Sequence, residues 1–239
     1  MKVDRYNFDQ LANSGFQLLR NVLAEEECNV FAQELSALFA EELRSESRRI
    51  GGVRNLLRTH DRTSRLARSL EVVLELGRRT GKHYFPVRAI FFDKTPEANW
   101  RVPWHQDVAI AVNQRKDTEG FDGWSVKDGV AHVIPPAEIL AGMITVRIHL
   151  DRCYVSNGAL RVIPKSHGLG RLSPEKEAEL LKQSQVVCEA ERGDALLMRP
   201  LLLHASLPAE NPNHRRVLHI EYASGDLPNG LEWHERAKK

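Results

Sequence analysis

The pattern of apolar positions divides the chain into two kinds of segment. Up to about residue 84, apolar residues recur at helical spacing. Within residues 23–43, Val30, Phe31, Leu35, Leu38 and Phe39 form one stripe, as expected of a helix that buries one face. Glu25, Glu26 and Glu27 stand in its first turns, where negative charge complements the helix dipole. Residues 8–13 predict a short helix stopped near Ser14-Gly15, residues 16–19 a short apolar strand, and residues 63–79 one or two further helices. Between them, a charged stretch over residues 44–58 turns through Gly51-Gly52 and carries Arg54. It reads either as a loop that brings Arg54 to a site or as a plain solvated loop.

From Pro86 the apolar period becomes that of strands. Residues 87–94, 104–111, 143–151, 159–164, 185–190, 194–198, 201–206 and 216–223 each read as a strand, with turn signals such as Asn157-Gly158 and Arg192-Gly193 between some of them. Ser173 and Pro174 open a late helix as its cap and first residue. Residues 113–136 form a long polar, glycine-containing excursion that holds Phe121, Trp124 and Val126. Beside a site, such a segment reads either as a substrate lid, with Trp124 as a candidate substrate contact, or as a loop folded down by its own aromatics. Helices first and short strands after predict an α+β, mainly β fold: a double-stranded β-helix, or cupin-like jelly roll, with helices packed on one face. No repeat or linker interrupts it. Residues 1–239 therefore read as a single domain, with 1–84 a mainly helical lead-in, 85–225 the jelly-roll core and 113–136 its lid-like excursion.

Bulk properties narrow the function by exclusion. The net charge is +2 over 239 residues and the charges are mixed along the chain, so the basic stripe of a nucleic-acid binder is missing. No apolar run approaches the roughly 18–20 residues of a membrane span. The first residues, Met1-Lys2-Val3-Asp4-Arg5, hold no apolar signal core. Cys28, Cys153 and Cys188 are far apart and unpaired in spacing, which argues against structural zinc and a disulfide framework and for a cytoplasmic setting. A small-molecule substrate is the expected partner; monomer and homodimer both stay open.

The candidate chemistry lies at His105-Gln106-Asp107. In a strand, His105 and Asp107 share a face while Gln106 points away. A distant His204 ends another apolar run, Leu201-Leu202-Leu203. Two imidazoles and a carboxylate on one face of a metal leave the opposite positions open, an arrangement suited to non-heme Fe(II). The tripeptide is weak alone: His149-Leu150-Asp151 has the same spacing, and His219-Ile220-Glu221 is a carboxylate variant. By parity Thr145, Arg147 and His149 share one face of their strand.

Ordered motifs choose between them. Gly15-Phe16-Gln17-Leu18-Leu19 at the start, Phe92-Asp93-Lys94 before Pro103-Trp104-His105-Gln106-Asp107, Asn157-Gly158-Ala159-Leu160 before Lys165-Ser166-His167, then Gly193-Asp194-Ala195, His204-Ala205-Ser206 and Arg215 follow one another along nearly the whole chain. Together they resemble the phytanoyl-CoA dioxygenase family of Fe(II)/2-oxoglutarate-dependent oxygenases. The resemblance implies that His105, Asp107 and His204 are the metal ligands and catalytic centre. It places His149-Leu150-Asp151 in the segment leading to the central turn. It also implies Fe(II), 2-oxoglutarate and O2 as cofactors, Arg215 as the clamp on the co-substrate carboxylate, and Ser206 as an added hydroxyl donor. Arg147 stands where the family often has Trp; it reads as a second charge on 2-oxoglutarate, a contact to an anionic substrate, or a salt bridge within the barrel. Arg54, Lys94, Trp124 and His149 are candidate substrate residues. Related halogenases lack the carboxylate that Asp107 supplies, so the resemblance implies hydroxylation of a small molecule with release of succinate and CO2. Two alternatives stay open: a cupin-like metal enzyme that does not use 2-oxoglutarate, and a non-catalytic ligand-binding jelly roll.

Overall fold

The computed structural model describes residues 6–44 and 52–236. Residues 45–51 of the expected charged turn, including Gly51, lie outside the described residues. The helical lead-in begins with α1 (Asp9–Ser14), which ends where Gly15 adopts a left-handed conformation with φ 86°. Strand β1 (Phe16–Leu19) follows. Helix α2 (Glu25–Arg44) buries Cys28, Phe31, Ala32, Leu35 and Phe39; Val30 and Leu38 of the predicted stripe are half-buried. Three short helices succeed it: α3 (Leu56–Thr59), α4 (Asp61–Ser69) and α5 (Glu71–Thr80). The sequence predicts one or two helices over residues 63–79, which α4 and α5 supply, while α3 lies in the stretch read as a loop. The run is broken because His60 is extended and caps α4, its ring nitrogen accepting from the Thr63 amide at 3.3 Å.

The strands are β2 (Phe85–Asp93), β3 (Val102–His105), β4 (Ile110–Val112), β5 (Asp122–Lys127), β6 (Val130–Ile134), β7 (Ile144–His149), β8 (Leu160–Val162), β9 (Val186–Cys188), β10 (Ala195–Met198), β11 (His204–Ser206) and β12 (Arg216–Ala223). Helix α6 (Ala137–Ala141) precedes β7, and α7 (Pro174–Leu180) lies between β8 and β9. Ser173 caps α7 as its sequence predicts, accepting from the Lys176 amide. The strands form a five-stranded sheet ordered β1-β10-β7-β12-β2, a four-stranded sheet ordered β3-β11-β8-β9, and a three-stranded sheet ordered β4-β6-β5. Every strand pair is antiparallel. This is the jelly-roll sandwich with helices that the sequence predicts.

Two boundaries differ from expectation. Residues 104–111 are not one strand: β3 stops at His105 and β4 starts at Ile110, so Asp107 stands in the connection. The excursion over 113–136 is not a loop either. Its β5–β6 hairpin pairs with β4, turns at Asp128 and Gly129 with φ 52° and 75°, and packs Phe121, Val133 and half-buried Trp124 into a cluster with Ile110, Val112 and Trp233. Of its two strands, β5 is largely exposed and shows no apolar alternation, while β6 is mostly buried.

Strand alternation in the five-stranded sheet sorts side chains by purpose. One face carries Ala89 and Phe91, Ile144, Val146 and Ile148, Ala195 and Leu197, and Leu218, Ile220 and Tyr222. All are buried in one cluster with the helical residues Phe31, Leu35, Phe39, Leu56 and Val73. Burying each large apolar side chain contributes roughly 1.5–3 kcal/mol. The opposite face carries Arg88, Ile90 and Phe92 from β2, Arg147 from β7, and His219 and Glu221 from β12, which line a cavity between the sheets.

Gly193 joins the helical layer to this sheet. Its carbonyl accepts from Val22 and Leu23, and its amide donates to the His149 carbonyl. Its φ is +83°, and a Cβ there would stand 2.4 Å from the Leu23 carbonyl oxygen. Gly193→Ala is therefore expected to destabilise the fold by at least about 1–3 kcal/mol, read as a lower denaturation midpoint. An unchanged midpoint would mean that this junction relaxes freely.

Candidate metal centre

Antiparallel pairing of β11 with β3 puts His204 directly opposite His105. Their ring centres are 4.2 Å apart. Asp107, past the end of β3, is held by its own backbone: its amide donates to the Pro200 carbonyl at 2.9 Å. Its carboxylate oxygens lie 3.6 Å from His105 Nε2 and 3.7 Å from His204 Nε2. One ligand atom from each of the three residues falls within 4.8 Å of the others.

The donor set suits a divalent metal in its details. His105 Nδ1 lies 2.9 Å from the Pro103 carbonyl, and His204 Nδ1 lies 2.8 Å from the Leu202 carbonyl. A carbonyl only accepts, so each Nδ1 carries the proton and each Nε2 offers its lone pair to the shared space. Such outer partners fix the tautomer of a ligating imidazole. One Asp107 oxygen is buried without a hydrogen-bond partner, an orphan that a cation would satisfy. Burial lowers the His204 pKa to about 4 despite the nearby Asp107 charge, so its ring is neutral at pH 7. Burial also lowers His105, but the Asp107 hydrogen bond and charge outweigh it and its pKa is raised. Burial would raise the Asp107 carboxyl, yet His204, then His105 and His219, hold it well below the usual carboxylate range.

Gln106 is the residue whose role sequence reasoning missed. Past the end of β3, it bonds away from the cluster and is not idle. Its amide donates to the Gly170 and Leu201 carbonyls at 2.8 and 2.7 Å, and its oxygen accepts from the Leu172 amide at 2.9 Å. The segment before His204 is thereby tied to the segment that holds His105 and Asp107.

The cavity beside the cluster is about 220 Å³, and Arg215, Ser206, Arg147 and Arg54 all line it. Arg215 is buried. Its amide donates to Asp93, while its Nε has no hydrogen-bond partner. The neighbouring Arg216 points the other way and grips Asp151 through Nε and one terminal nitrogen, both at 2.7 Å. Lys94 is buried, donates to Ser206 Oγ at 3.2 Å and to the Leu207 carbonyl, and lines a second, outer cavity that shares Arg215 with the first. Burial, then the Arg215 charge, brings the Lys94 pKa down to about 7. Lys94 therefore belongs with Ser206 and Arg215. Trp124 is not among the cavity residues; it lies on the excursion cluster with the Arg115 guanidinium 5.7 Å from its ring. His149 is not among them either. It is buried with both ring nitrogens unpartnered, and burial, then Arg147 and Arg215, lower its pKa to about 3. Trp100, Ile90 and Phe92 complete the wall. The alternation Arg88, Ile90, Phe92 signals the β2 part of it; nothing in the sequence marks Trp100.

Comparison with known proteins names the lineage. A family model of phytanoyl-CoA dioxygenase (PhyH) matches residues 11–217. The chain belongs to the phytanoyl-CoA dioxygenase family of iron- and 2-oxoglutarate-dependent oxygenases. Solved structures share its fold. The epimerase SnoN of nogalamycin biosynthesis, in complex with Fe3+, alpha ketoglutarate and nogalamycin RO, is 16% identical with a TM-score of 0.68, covering 92% of this chain and 88% of its own. AviO1 from Streptomyces viridochromogenes is 23% identical with a TM-score of 0.65, covering 92% and 95%. EctD from S. alaskensis, with 2-oxoglutarate and 5-hydroxyectoine, is 16% identical with a TM-score of 0.67, covering 90% and 74%. A search of curated proteins returns no significant match. Among the described residues no helix is long and apolar enough to cross a membrane.

His105→Ala, Asp107→Ala and His204→Ala are each expected to abolish Fe(II) binding, measured anaerobically by calorimetry, with circular dichroism unchanged. His149→Ala should bind iron as the parent does. Iron affinity should also fall as the pH drops through the raised His105 pKa, because a protonated imidazole offers no lone pair. Loss of iron in His149→Ala with retention in His105→Ala would transfer the site to the other tripeptide.

Proposed function

We propose that the protein is an Fe(II)- and 2-oxoglutarate-dependent hydroxylase of a small molecule, releasing succinate and CO2. The observation that carries this reading is the pairing of the His-Asp-His cluster with Arg215, a buried guanidinium with no carboxylate partner among the described residues. A buried cation of that kind is costly unless something anionic completes it.

His105 Nε2, His204 Nε2 and an Asp107 oxygen would hold the iron. Arg215 would take the far carboxylate of 2-oxoglutarate in a planar two-pronged contact. Ser206 and Lys94, hydrogen-bonded to each other, would supply further donors at the same end. Bound iron and 2-oxoglutarate supply the oxidising power, one atom of O2 leaving in succinate and the other entering the substrate. The chain itself positions both reactants and keeps water away. Ile90, Phe92, Trp100, Val102 and Leu160 form the apolar part of the wall, and apolar walls strengthen each charged contact inside. Asp107 argues against halogenation, which would leave its position open.

Arg215→Ala is expected to weaken 2-oxoglutarate binding by about 2–4 kcal/mol, on the order of a hundredfold, while iron binding persists. Arg215→Lys should recover part of it, because the fork is lost. Arg216→Ala should change affinity little and instead lower stability, since it strands Asp151. The measurement is anaerobic titration of the visible band of the Fe(II)–2-oxoglutarate complex. A wild-type protein that forms no such complex favours a cupin-like enzyme that does not use 2-oxoglutarate.

A further inference from the structure

With iron and 2-oxoglutarate bound as proposed above, a reading on which the substrate inference rests, one charge in the cavity has no counterpart. Four arginines and two carboxylates line the space: Arg54, Arg88, Arg147 and Arg215 against Asp107 and Glu221. Asp107 is spent on the metal position. Glu221 accepts from Arg88 at 3.2 Å and lies 3.3 Å from His219 Nε2. Arg54 pairs with Asp128 on the β5–β6 turn at 3.2 Å. Arg215 faces the co-substrate. Arg147 remains.

Arg147 is 7% exposed. One terminal nitrogen lies 2.9 Å from His219 Nδ1. An arginine has no acceptor, so His219 accepts there and carries its proton on Nε2, towards Glu221. An imidazole that accepts at one nitrogen and donates at the other brings no negative charge to Arg147. The Arg147 guanidinium also stands 5.8 Å from the Phe92 ring centre, and its Nε is buried with no partner. A ring nitrogen and a ring face orient a guanidinium without cancelling its charge. Burial, then the Arg215 charge, lowers the Arg147 pKa to about 10, which leaves it charged at pH 7.

2-Oxoglutarate does not supply the missing charge. Its near carboxylate and Asp107 together balance the two charges of a ferrous ion, and its far carboxylate balances Arg215. A further cation stands next to Asp128, the partner of cavity-lining Arg54. Lys127, at the end of β5, makes no ion pair among the described residues, and its pKa is lowered by burial and then by Arg88 and Arg54. We infer that the primary substrate is itself an anion, a small molecule bearing a carboxylate or phosphate, and that Arg147 holds that group beside the metal while Lys127 draws it to the mouth.

The test uses the protein loaded anaerobically with Fe(II) and 2-oxoglutarate. The probes are inorganic phosphate, cyclohexanecarboxylate and the neutral cyclohexanecarboxamide. At least one of the two anions should raise the melting temperature of the wild type at fixed ionic strength, and the amide should not. Arg147→Met should lose that response and keep its 2-oxoglutarate affinity within about threefold, as read from the visible band. Without ligands its melting temperature should stay close to the wild type's, because removal of a buried cation that no anion balances is offset by the loss of the donor to His219 Nδ1. Arg147→Lys, which keeps the charge, should retain part of the anion response. The inference is overturned if neither anion acts on the wild type, if the amide acts as strongly as the anions, or if Arg147→Met still responds. It is equally overturned if Arg147→Met no longer folds cooperatively, which makes Arg147 a structural cation, or if it loses 2-oxoglutarate affinity tenfold, which assigns Arg147 to the co-substrate. A wild type with no Fe(II)–2-oxoglutarate complex fails at the earlier step, and the band alone distinguishes that failure.

Discussion

The site depends on one backbone pairing. His204 lies across from His105 because β11 and β3 run antiparallel in that register. A slip of one residue would turn one imidazole to the other face of the sheet. Gln106 guards the register from the outside, tying Gly170, Leu172 and Leu201 into one knot with three hydrogen bonds. Asp107 needs a separate device, because the strand has already ended; its amide bond to Pro200 supplies it. The His-Asp-His cluster is thus held by main-chain hydrogen bonds, and both imidazoles arrive with their Nδ1 atoms already committed.

Much of this is legible in the sequence, for reasons that can be named. The α2 stripe and the β12 run are readable because each buries a regular face. The division of labour between Arg215 and Arg216 is readable from strand alternation: Arg216 grips Asp151 on the outside while Arg215 is turned inward. Asp107 joins the partners that its spacing from His105 suggests, but not by strand alternation, since β3 ends before it. Strand β5 of the hairpin is not legible because it is exposed and has no apolar period to betray it. Lys94 reads as a substrate residue, and only three dimensions reveal its bond to Ser206, more than a hundred positions away.

The polar wall shows how a cavity can hold many charges at tolerable cost. Arg147, His219, Glu221 and Arg88 form a chain across three adjacent strands, β7, β12 and β2. Each member fixes the rotamer or tautomer of the next. Networks of this kind are stable when every member is satisfied and costly when one is not. The unsatisfied member here is Arg147, whose Nε has no partner and which lines the same cavity as the His-Asp-His cluster.

The five-stranded sheet has two faces with separate duties, and this bears on how such a protein can diverge. Its outer face is locked against the helices by close packing, so a substitution there is felt throughout the fold. Its inner face looks into open space, and exchanging a residue such as Arg147 or His219 alters what the cavity accepts without disturbing the layer behind it. Descent with modification can therefore act on the two faces independently. New chemistry can be sampled by changing alternate residues of β2, β7 and β12 while their neighbours, one position away, preserve the ancestral scaffold.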